Sequence, residues 1–122
     1  MVANDIPGRR MDVLVEAFRR WRSDGQTLVV CGKGCGKFSG EGVVGREGVR
    51  WDGLFALYDE ADVYVHNGME QYSTAVQIAA MRGMPIVCSR EVGIVADFQR
   101  PDEAMVLVDD WQSVDSWVAA FT

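Results

Sequence analysis

Residues 62–97 read DVYVHNGMEQYSTAVQIAAMRGMPIVCSREVGIVAD, and this stretch decides the fold. It contains, in order, a strand-like run, an acidic loop, a helix-like run at 74–82 and a second strand-like run at 85–89. Ser73 stands where it can cap the helix, and Gly83 stands where the helix should end. Strand, helix and strand in this order predict a right-handed βαβ unit with parallel strands.

The rest of the chain continues the alternation. A glycine-rich loop at 32–48 is expected to be mobile, with a short strand at 42–44. The other predicted elements are helices at 11–24, 52–61, 92–98 and 110–121, and strands at 27–31, 62–67 and 104–108. The pattern predicts one α/β domain over residues 1–122, a Rossmann-like three-layer α/β/α fold with a mainly parallel sheet.

The composition argues against membrane-spanning and nucleic-acid-binding proteins. The 122 residues are 48% hydrophobic and 25% charged, as in folded, water-soluble domains. No apolar run is long enough to span a bilayer, so a cytoplasmic protein without a membrane span is expected. The net charge is −6, which divides into +3 over residues 1–50 and −9 over residues 51–122. Nucleic acid is therefore not an expected partner.

Two classes of cofactor site are disfavoured. Three cysteines and one histidine, without a C-x-x-C pair, do not supply a zinc site, so the cysteines are interpreted as reduced and structural. The loop CGKGCGK lacks the first glycine of a P-loop, where Cys31 stands. It also lacks the third glycine of a dinucleotide fingerprint, where Lys37 stands, which argues against a nicotinamide enzyme. Neither a metal nor a bound cofactor is expected.

The start of the helix after Ser73 is the best candidate for a ligand site. In an α/β sheet, ligands bind beyond the carboxyl ends of the strands, and a helix that begins there directs unpaired N–H groups toward an anion. A diphosphate fits this position. Glu70, just before the helix, could accept hydrogen bonds from sugar hydroxyls. The glycines after the first strand, Gly32 and Gly34, allow close approach of the backbone to a ligand.

These motifs resemble one family, the C-terminal domain of retaining GT-B glycosyltransferases of family 4. The run at 61–89 is similar to the family's A-D-V-(apolar)-V-x-x-S-x-x-E-x-F-G-x-x-x-x-E-A-M-A-x-G-x-P-V-V-x-S. The positions in register are Ala61, Asp62, Val63, Val65, Glu70, Tyr72, Gly83, Pro85, Val87 and Ser89. The segment RRMDVLVEAF at 9–18 is similar to the family's K-G-x-D-x-L-x-E-A-F, with Arg9 at the lysine position.

The resemblance implies a function and a set of site residues. Members bind a nucleoside-diphosphate sugar and transfer the glycosyl group with retention of configuration. Arg9 would contact phosphate, and Glu70, the catalytic candidate, would contact the transferred sugar. The remaining substrate-binding candidates are Gly32, Gly34, Tyr72, Ser73, Thr74 and Ala75. The chain lacks the family's acceptor-binding domain, so activity would require a partner chain that carries this domain, or a second copy in a homo-oligomer.

Departures from the family keep a second hypothesis open. Ile78 stands where the family has a second glutamate that contacts ribose, and Ser73 replaces a glycine. The alternative is a degenerate, non-catalytic binding or assembly module. The site residues also have simpler interpretations: Glu70 as a loop carboxylate stabilised by the helix dipole, Arg9 as a residue flanking a helix, and His66 as a strand-end residue rather than a general base.

Overall fold

The computed structural model describes residues 1–122 and contains five helices and five strands. The helices are α1 (Met11–Trp21), α2 (Trp51–Glu60), α3 (Thr74–Met81), α4 (Pro101–Ala104) and α5 (Val114–Phe121). The strands are β1 (Leu28–Cys31), β2 (Val43–Arg46), β3 (Tyr64–His66), β4 (Ile86–Ser89) and β5 (Val106–Val108). Single 3₁₀ turns lie at Pro7–Arg9, Cys35–Phe38 and Gly93–Asp97. None of the helices is both long and apolar enough to cross a bilayer.

All strand pairs are parallel, but they form two sheets. One sheet pairs β1 with β2, and the other has the order β3-β4-β5. The first residues of the chain run beside β1, where Ala3 N–H donates to the Cys31 carbonyl at 2.8 Å. No backbone hydrogen bond joins these residues to β3. The predicted parallel sheet is thus confirmed, with an interruption between the amino-terminal residues and β3.

Two apolar clusters lie on opposite faces of the strands. Val65 and Val87 point toward α1 and α5, where Trp117 is fully buried. Their strand neighbours Tyr64 and Ile86 point toward α2 and α3. Because side chains alternate along a strand, consecutive residues enter different clusters. This arrangement is the three-layer order that the sequence predicts.

The C-terminal part differs from the prediction at two boundaries. Ala104, which is expected to begin the last strand, instead ends α4, because Pro101 is favourable at a helix start and two acidic residues follow it. The strand therefore begins only at Val106. The last helix begins at Val114 rather than at 110 or 111, because the Ser113 hydroxyl accepts the Ser116 N–H at 3.2 Å and fixes the cap there.

Candidate functional site

Glu70 lies at the carboxyl ends of β3 and β4. Its N–H donates to the Glu91 carbonyl at 3.4 Å, and its carbonyl accepts the Gly93 N–H at 2.8 Å. The segment after β3 is therefore paired with the segment after β4, in parallel register with Val92. The backbone of Glu70 is held by main-chain bonds rather than left in a free loop.

The turn that leads from β3 to Glu70 is fixed by a buried amide. Asn67 is fully buried, and its Nδ2 donates to the carbonyls of Arg10 and Trp111, each at 3.0 Å. Its Oδ1 accepts the Gly68 N–H at 2.8 Å. One side chain therefore joins the segment before α1, the turn after β3 and the segment before α5, so that these three connections meet at one point.

Gly68 brings the Arg9 turn against this segment. Its φ is +112°, and a Cβ placed on it would lie 2.6 Å from the Arg9 Cα and 2.7 Å from the Gly8 carbonyl oxygen. Only glycine fits both the conformation and the space. The Met69 N–H donates to the Gly8 carbonyl at 3.0 Å. The backbone at Arg9 is therefore held against the residues that follow β3, so the Arg9 side chain can reach them.

Arg9 and His66 both bind the Glu70 carboxylate. The Arg9 Nε lies 2.7 Å from Oε2, and the His66 Nε2 lies 3.0 Å from Oε1. The Glu70 side chain is 12% exposed, the Arg9 side chain is 23% exposed, and His66 is buried. Two of the residues assigned by the resemblance, one to phosphate and one to sugar, therefore form an ion pair with each other.

A chain of hydrogen bonds determines the tautomer of His66. A carboxylate only accepts, so His66 must donate from Nε2 to Glu70. Its Nδ1 is then an acceptor and receives the Tyr64 hydroxyl proton across 3.0 Å. The Tyr64 oxygen in turn accepts the Val2 N–H at 3.2 Å. Every polar atom of this buried chain is satisfied with His66 neutral, which fixes the direction of its Nε2–H bond toward Glu70.

The electrostatics agree with this protonation state. Burial raises the pKa of Glu70, but the hydrogen bond from His66 and the charge of Arg9 outweigh it, and a smaller contribution comes from the Ser73 hydroxyl. The pKa of the Glu70 carboxyl therefore lies below its ordinary value. Burial also lowers the pKa of His66, and the hydrogen bond to Glu70 opposes this shift only in part. At neutral pH the group is a charged carboxylate held by a charged guanidinium and a neutral imidazole.

Helix α3 begins beside Glu70 with two free donors. The Ser73 Oγ accepts the Val76 N–H at 3.1 Å, which confirms the predicted cap. The N–H groups of Thr74 and Ala75 have no partner within the chain. Thr74 is exposed, and Tyr72, just before the cap, is 46% exposed. The helix start is therefore open to an anion next to a carboxylate.

The two predicted glycines lie against the chain itself. A Cβ on Gly32 would lie 2.0 Å from the Ala3 carbonyl oxygen, and one on Gly34 would lie 3.1 Å from the Asp5 Cβ. Both positions have positive φ. The predicted close approach of another group to their backbone is present, but the approaching group is the amino-terminal segment. A role for Gly32 and Gly34 in binding a ligand stays a prediction.

The structure therefore groups Arg9, Glu70 and the start of α3, and adds two residues that sequence reasoning did not place there. The sequence marks His66 only as a strand-end residue or a general base, and it gives no signal for Asn67. A histidine four residues before a glutamate is a weak signal, because only the turn after β3 brings the two side chains together.

The three cysteines are buried and free. Burial raises the pKa of the Cys35 thiol to about 11 and that of Cys88 to about 12. They pack as small apolar side chains. No group of three or more His, Cys, Asp or Glu side chains is arranged to hold a metal ion.

Comparison with known proteins supports the fold. No protein-family model matches the chain, and no curated protein matches it. Among solved structures, it is similar to WaaG, described as a glycosyltransferase involved in lipopolysaccharide biosynthesis, with a TM-score of 0.77 and 18% identity. The match covers 98% of this chain and 35% of WaaG, so the chain spans about a third of that structure. The chain therefore has the predicted Rossmann-like α/β fold, similar to one half of a GT-B fold.

Proposed function

We propose that the chain is a glycosyltransferase-like domain that binds a nucleoside-diphosphate sugar. The observation that carries this proposal is the convergence of Arg9, Glu70 and the open start of α3 at the carboxyl ends of the strands. A guanidinium and two free N–H groups suit a diphosphate, and an adjacent carboxylate suits sugar hydroxyls. The similarity in fold to WaaG, a glycosyltransferase, supports a glycosyltransferase-like domain.

In this proposal each group has one task. Arg9 leaves Glu70 when the donor arrives and pairs with a phosphate oxygen, while Thr74 and Ala75 donate their N–H groups to the other phosphate. Glu70, still held by His66, accepts hydrogen bonds from the sugar. As the glycosyl bond breaks, negative charge grows on the leaving diphosphate, and Arg9 with the helix start stabilises it. Transfer would proceed with retention, as in the family that the sequence resembles.

We propose that a partner chain with an acceptor domain, or a second copy of this chain, binds the acceptor. The three buried free thiols suit a reducing compartment, so we place the domain in the cytoplasm.

A non-catalytic binding module is the second candidate. The observation that favours it is Ile78, a half-buried apolar side chain on α3 at the position where the family's ribose-binding glutamate would stand. An isoleucine cannot accept a hydrogen bond from a ribose hydroxyl. Such a module would keep the diphosphate-binding residues but not turn over a donor.

The deciding experiment is thermal unfolding of the chain with UDP, GDP, ADP and their sugars, with NAD as a control. A ligand at a hundred times its Kd should add about 2.7 kcal/mol to the free energy of unfolding, a shift of several degrees. Arg9→Ala should abolish the shift. Arg10→Ala is the matched control, because the neighbouring Arg10 pairs only with Asp12. No shift with any nucleotide at millimolar concentration would overturn donor binding by this chain.

A nucleotide-dependent rise in melting temperature, without turnover of the nucleotide sugar, would favour the non-catalytic binding module. The test is hydrolysis of the bound nucleotide sugar, measured as release of free nucleoside diphosphate over many hours. Release that depends on Glu70 supports the transferase. Saturable binding with no release, in the presence of any acceptor-carrying partner that co-purifies, supports the module.

A further inference from the structure

A cleft of about 420 Å³ opens at the carboxyl ends of β1 and β2, and we call it the β1–β2 cleft. Its volume falls within the range of about 300–1,000 Å³ that is usual for sites that bind small molecules. The apolar part of its wall consists of Val2, Ala3, Cys31, Val49 and Leu54. Two residues of opposite charge, Lys33 and Glu47, also line it. An apolar wall with a few charged groups is typical of a site for an organic ring rather than for a bare phosphate.

The β1–β2 cleft is joined to the Arg9 turn by one short segment. Asn4 lines the cleft, and the chain runs from there into the 3₁₀ turn at Pro7–Arg9. The Asp5 N–H donates to the Lys33 carbonyl at 2.8 Å, and the Lys33 N–H donates to the Asn4 Oδ1 at 2.9 Å. The segment is therefore fixed against the loop that follows β1, so the cleft and the Arg9 guanidinium are positioned together and one ligand can contact both.

Glu47 is the only acidic residue that lines the cleft, and its carboxylate is held in place. Its Oε1 accepts the Gly34 N–H at 2.8 Å. A Cβ on Gly36 would lie 2.7 Å from its Oε2, so the glycine leaves the room that this oxygen occupies. Glu47 forms no ion pair with a side chain of the protein. The carboxylate therefore keeps its charge and most of its lone pairs for a ligand.

A carboxylate distinguishes among the nucleobases because it can only accept hydrogen bonds. Guanine presents two donors side by side, N1–H and the N2 amino group, and both can bind one carboxylate. Adenine and cytosine place an unprotonated ring nitrogen beside their amino group, and uracil places a carbonyl on each side of its single N–H. Each of these bases therefore brings a lone pair against the carboxylate, whereas guanine does not.

We propose that Glu47 makes the domain selective for guanosine-diphosphate donors by accepting hydrogen bonds from N1–H and the N2 amino group of guanine. The inference rests on the proposed function, because the base enters the β1–β2 cleft only when the diphosphate binds at Arg9 and the start of α3. Lys33 supplies donors for the O6 and N7 acceptors of guanine. Glu47 touches the base and not the reacting atoms, so it determines specificity rather than catalysis.

The direct test compares GDP, inosine diphosphate, ADP and UDP by isothermal titration calorimetry on the unmodified chain. All four carry the same diphosphate, and inosine diphosphate differs from GDP only in lacking the N2 amino group. GDP should bind about tenfold or more tightly than ADP or UDP, equivalent to about 1.4 kcal/mol or more. Inosine diphosphate should bind with intermediate affinity, because it keeps one of the two hydrogen bonds to Glu47.

Glu47→Gln tests whether the carboxylate causes this preference. The amide oxygen can still accept the Gly34 N–H, but the amide nitrogen now turns donors toward the donors of guanine. The affinity for GDP should fall about tenfold, to that of ADP, while ADP and UDP bind as before. Glu41→Gln is the matched control, because Glu41 lies in the same glycine-rich loop, pairs with Arg19 and does not line the cleft. It should leave all four affinities unchanged.

The possible failures are distinguishable. Equal affinity for GDP, ADP and UDP would leave nucleotide binding intact and overturn the selection of guanine. Equal affinity for GDP and inosine diphosphate would exclude the hydrogen bond from the N2 amino group and overturn the proposed recognition. If Glu47→Gln weakened all four nucleotides equally, Glu47 would merely support the loop at Gly34. No binding of any nucleotide would overturn the proposed function and this inference together.

Discussion

The Nε of Arg9 lies 2.7 Å from Oε2 of Glu70, and this ion pair stands next to Ser73, which caps α3. In this state the positive charge proposed for phosphate is already paired, and the carboxylate proposed for sugar is already satisfied. A donor that carries both phosphate and sugar breaks the ion pair between Arg9 and Glu70 but gives each of them a new partner. A diphosphate without sugar gives a new partner only to Arg9, and Glu70 then keeps only its hydrogen bond from His66.

The first prediction follows for Glu70→Gln. Removing the carboxylate charge frees Arg9, so UDP, GDP or ADP without sugar should raise the melting temperature more than in the unmodified chain. The sugar-bearing nucleotide should raise it less, because an amide is a weaker acceptor than a carboxylate. Thermal unfolding measures both. Asp12→Asn is the control, since it removes the partner of Arg10 in the same way and should change neither shift.

The second prediction separates the cap of α3 from that of α5. Ser73 and Ser113 each accept an N–H three residues ahead, at 3.1 and 3.2 Å. Ser73→Ala and Ser113→Ala should each lower the free energy of unfolding by about 1 kcal/mol, measured in urea. Only Ser73→Ala should also weaken the nucleotide-dependent shift, because Ser73 lies beside Glu70 and the free donors of α3. Equal loss of binding in both variants would contradict a ligand site at α3.

The third prediction concerns the backbone under Glu70. A Cβ on Gly93 would lie 1.7 Å from the Gln71 carbonyl oxygen, so Gly93→Ala must push apart the two segments that pair at Glu70. We expect a loss of about 1–3 kcal/mol in the free energy of unfolding. Gly8→Ala is the control, because its Cβ would meet only the Met69 carbonyl oxygen, at 3.9 Å. Its effect should stay within about 0.5 kcal/mol.

The fourth prediction concerns pH. Burial lowers the pKa of His66 from 6.5, so below pH 6.5 the unfolded chain takes up a proton that the folded chain does not. Stability must then fall as the pH falls, by at most about 1.4 kcal/mol per pH unit for this group. The lowered pKa of Glu70 acts in the same direction at lower pH, where its stabilising charge is lost on protonation.

Urea unfolding between pH 7.5 and pH 5 tests this slope. His66→Gln keeps a donor toward Glu70 but does not titrate, so its free energy of unfolding should change less than that of the unmodified chain between pH 6.5 and pH 5. If the free energy of unfolding fell equally with pH in the two proteins, His66 would not be the cause of the pH dependence.

Most of the fold could be predicted, because its signals are local. Ser73 and Gly83 bound α3 by their own chemistry, and the apolar runs at β1 and β4 are short and uninterrupted. The split between the sheets could not be predicted. It depends on whether the Val2 N–H finds a strand partner or the Tyr64 hydroxyl, two groups 62 residues apart in sequence.

The site could be predicted only in part, for a similar reason. The resemblance pointed to Arg9 and Glu70, but no local pattern shows that they bind each other. Their pairing requires Gly68 to admit the Arg9 turn and Asn67 to fix the turn after β3. His66 enters the site through its Nε2–H, a tautomer that the Glu70 carboxylate selects and that the Tyr64 hydroxyl accommodates by donating to Nδ1. Residues that meet through tertiary contacts of this kind show no regular spacing in the sequence from which the contact could be predicted.

The packing of α1 against α5 has a consequence for how the chain is made. Phe121 lies against Trp21 with ring centroids 5.4 Å apart and meets Phe18 edge to face. These contacts join opposite ends of the sequence, and long-range contacts of this kind form slowly. During synthesis the part of the apolar face of α1 that packs on α5 stays uncovered until residues 114–121 have left the ribosome. The nascent domain therefore offers a chaperone the aromatic side chains of α1 until α5 can pack against them.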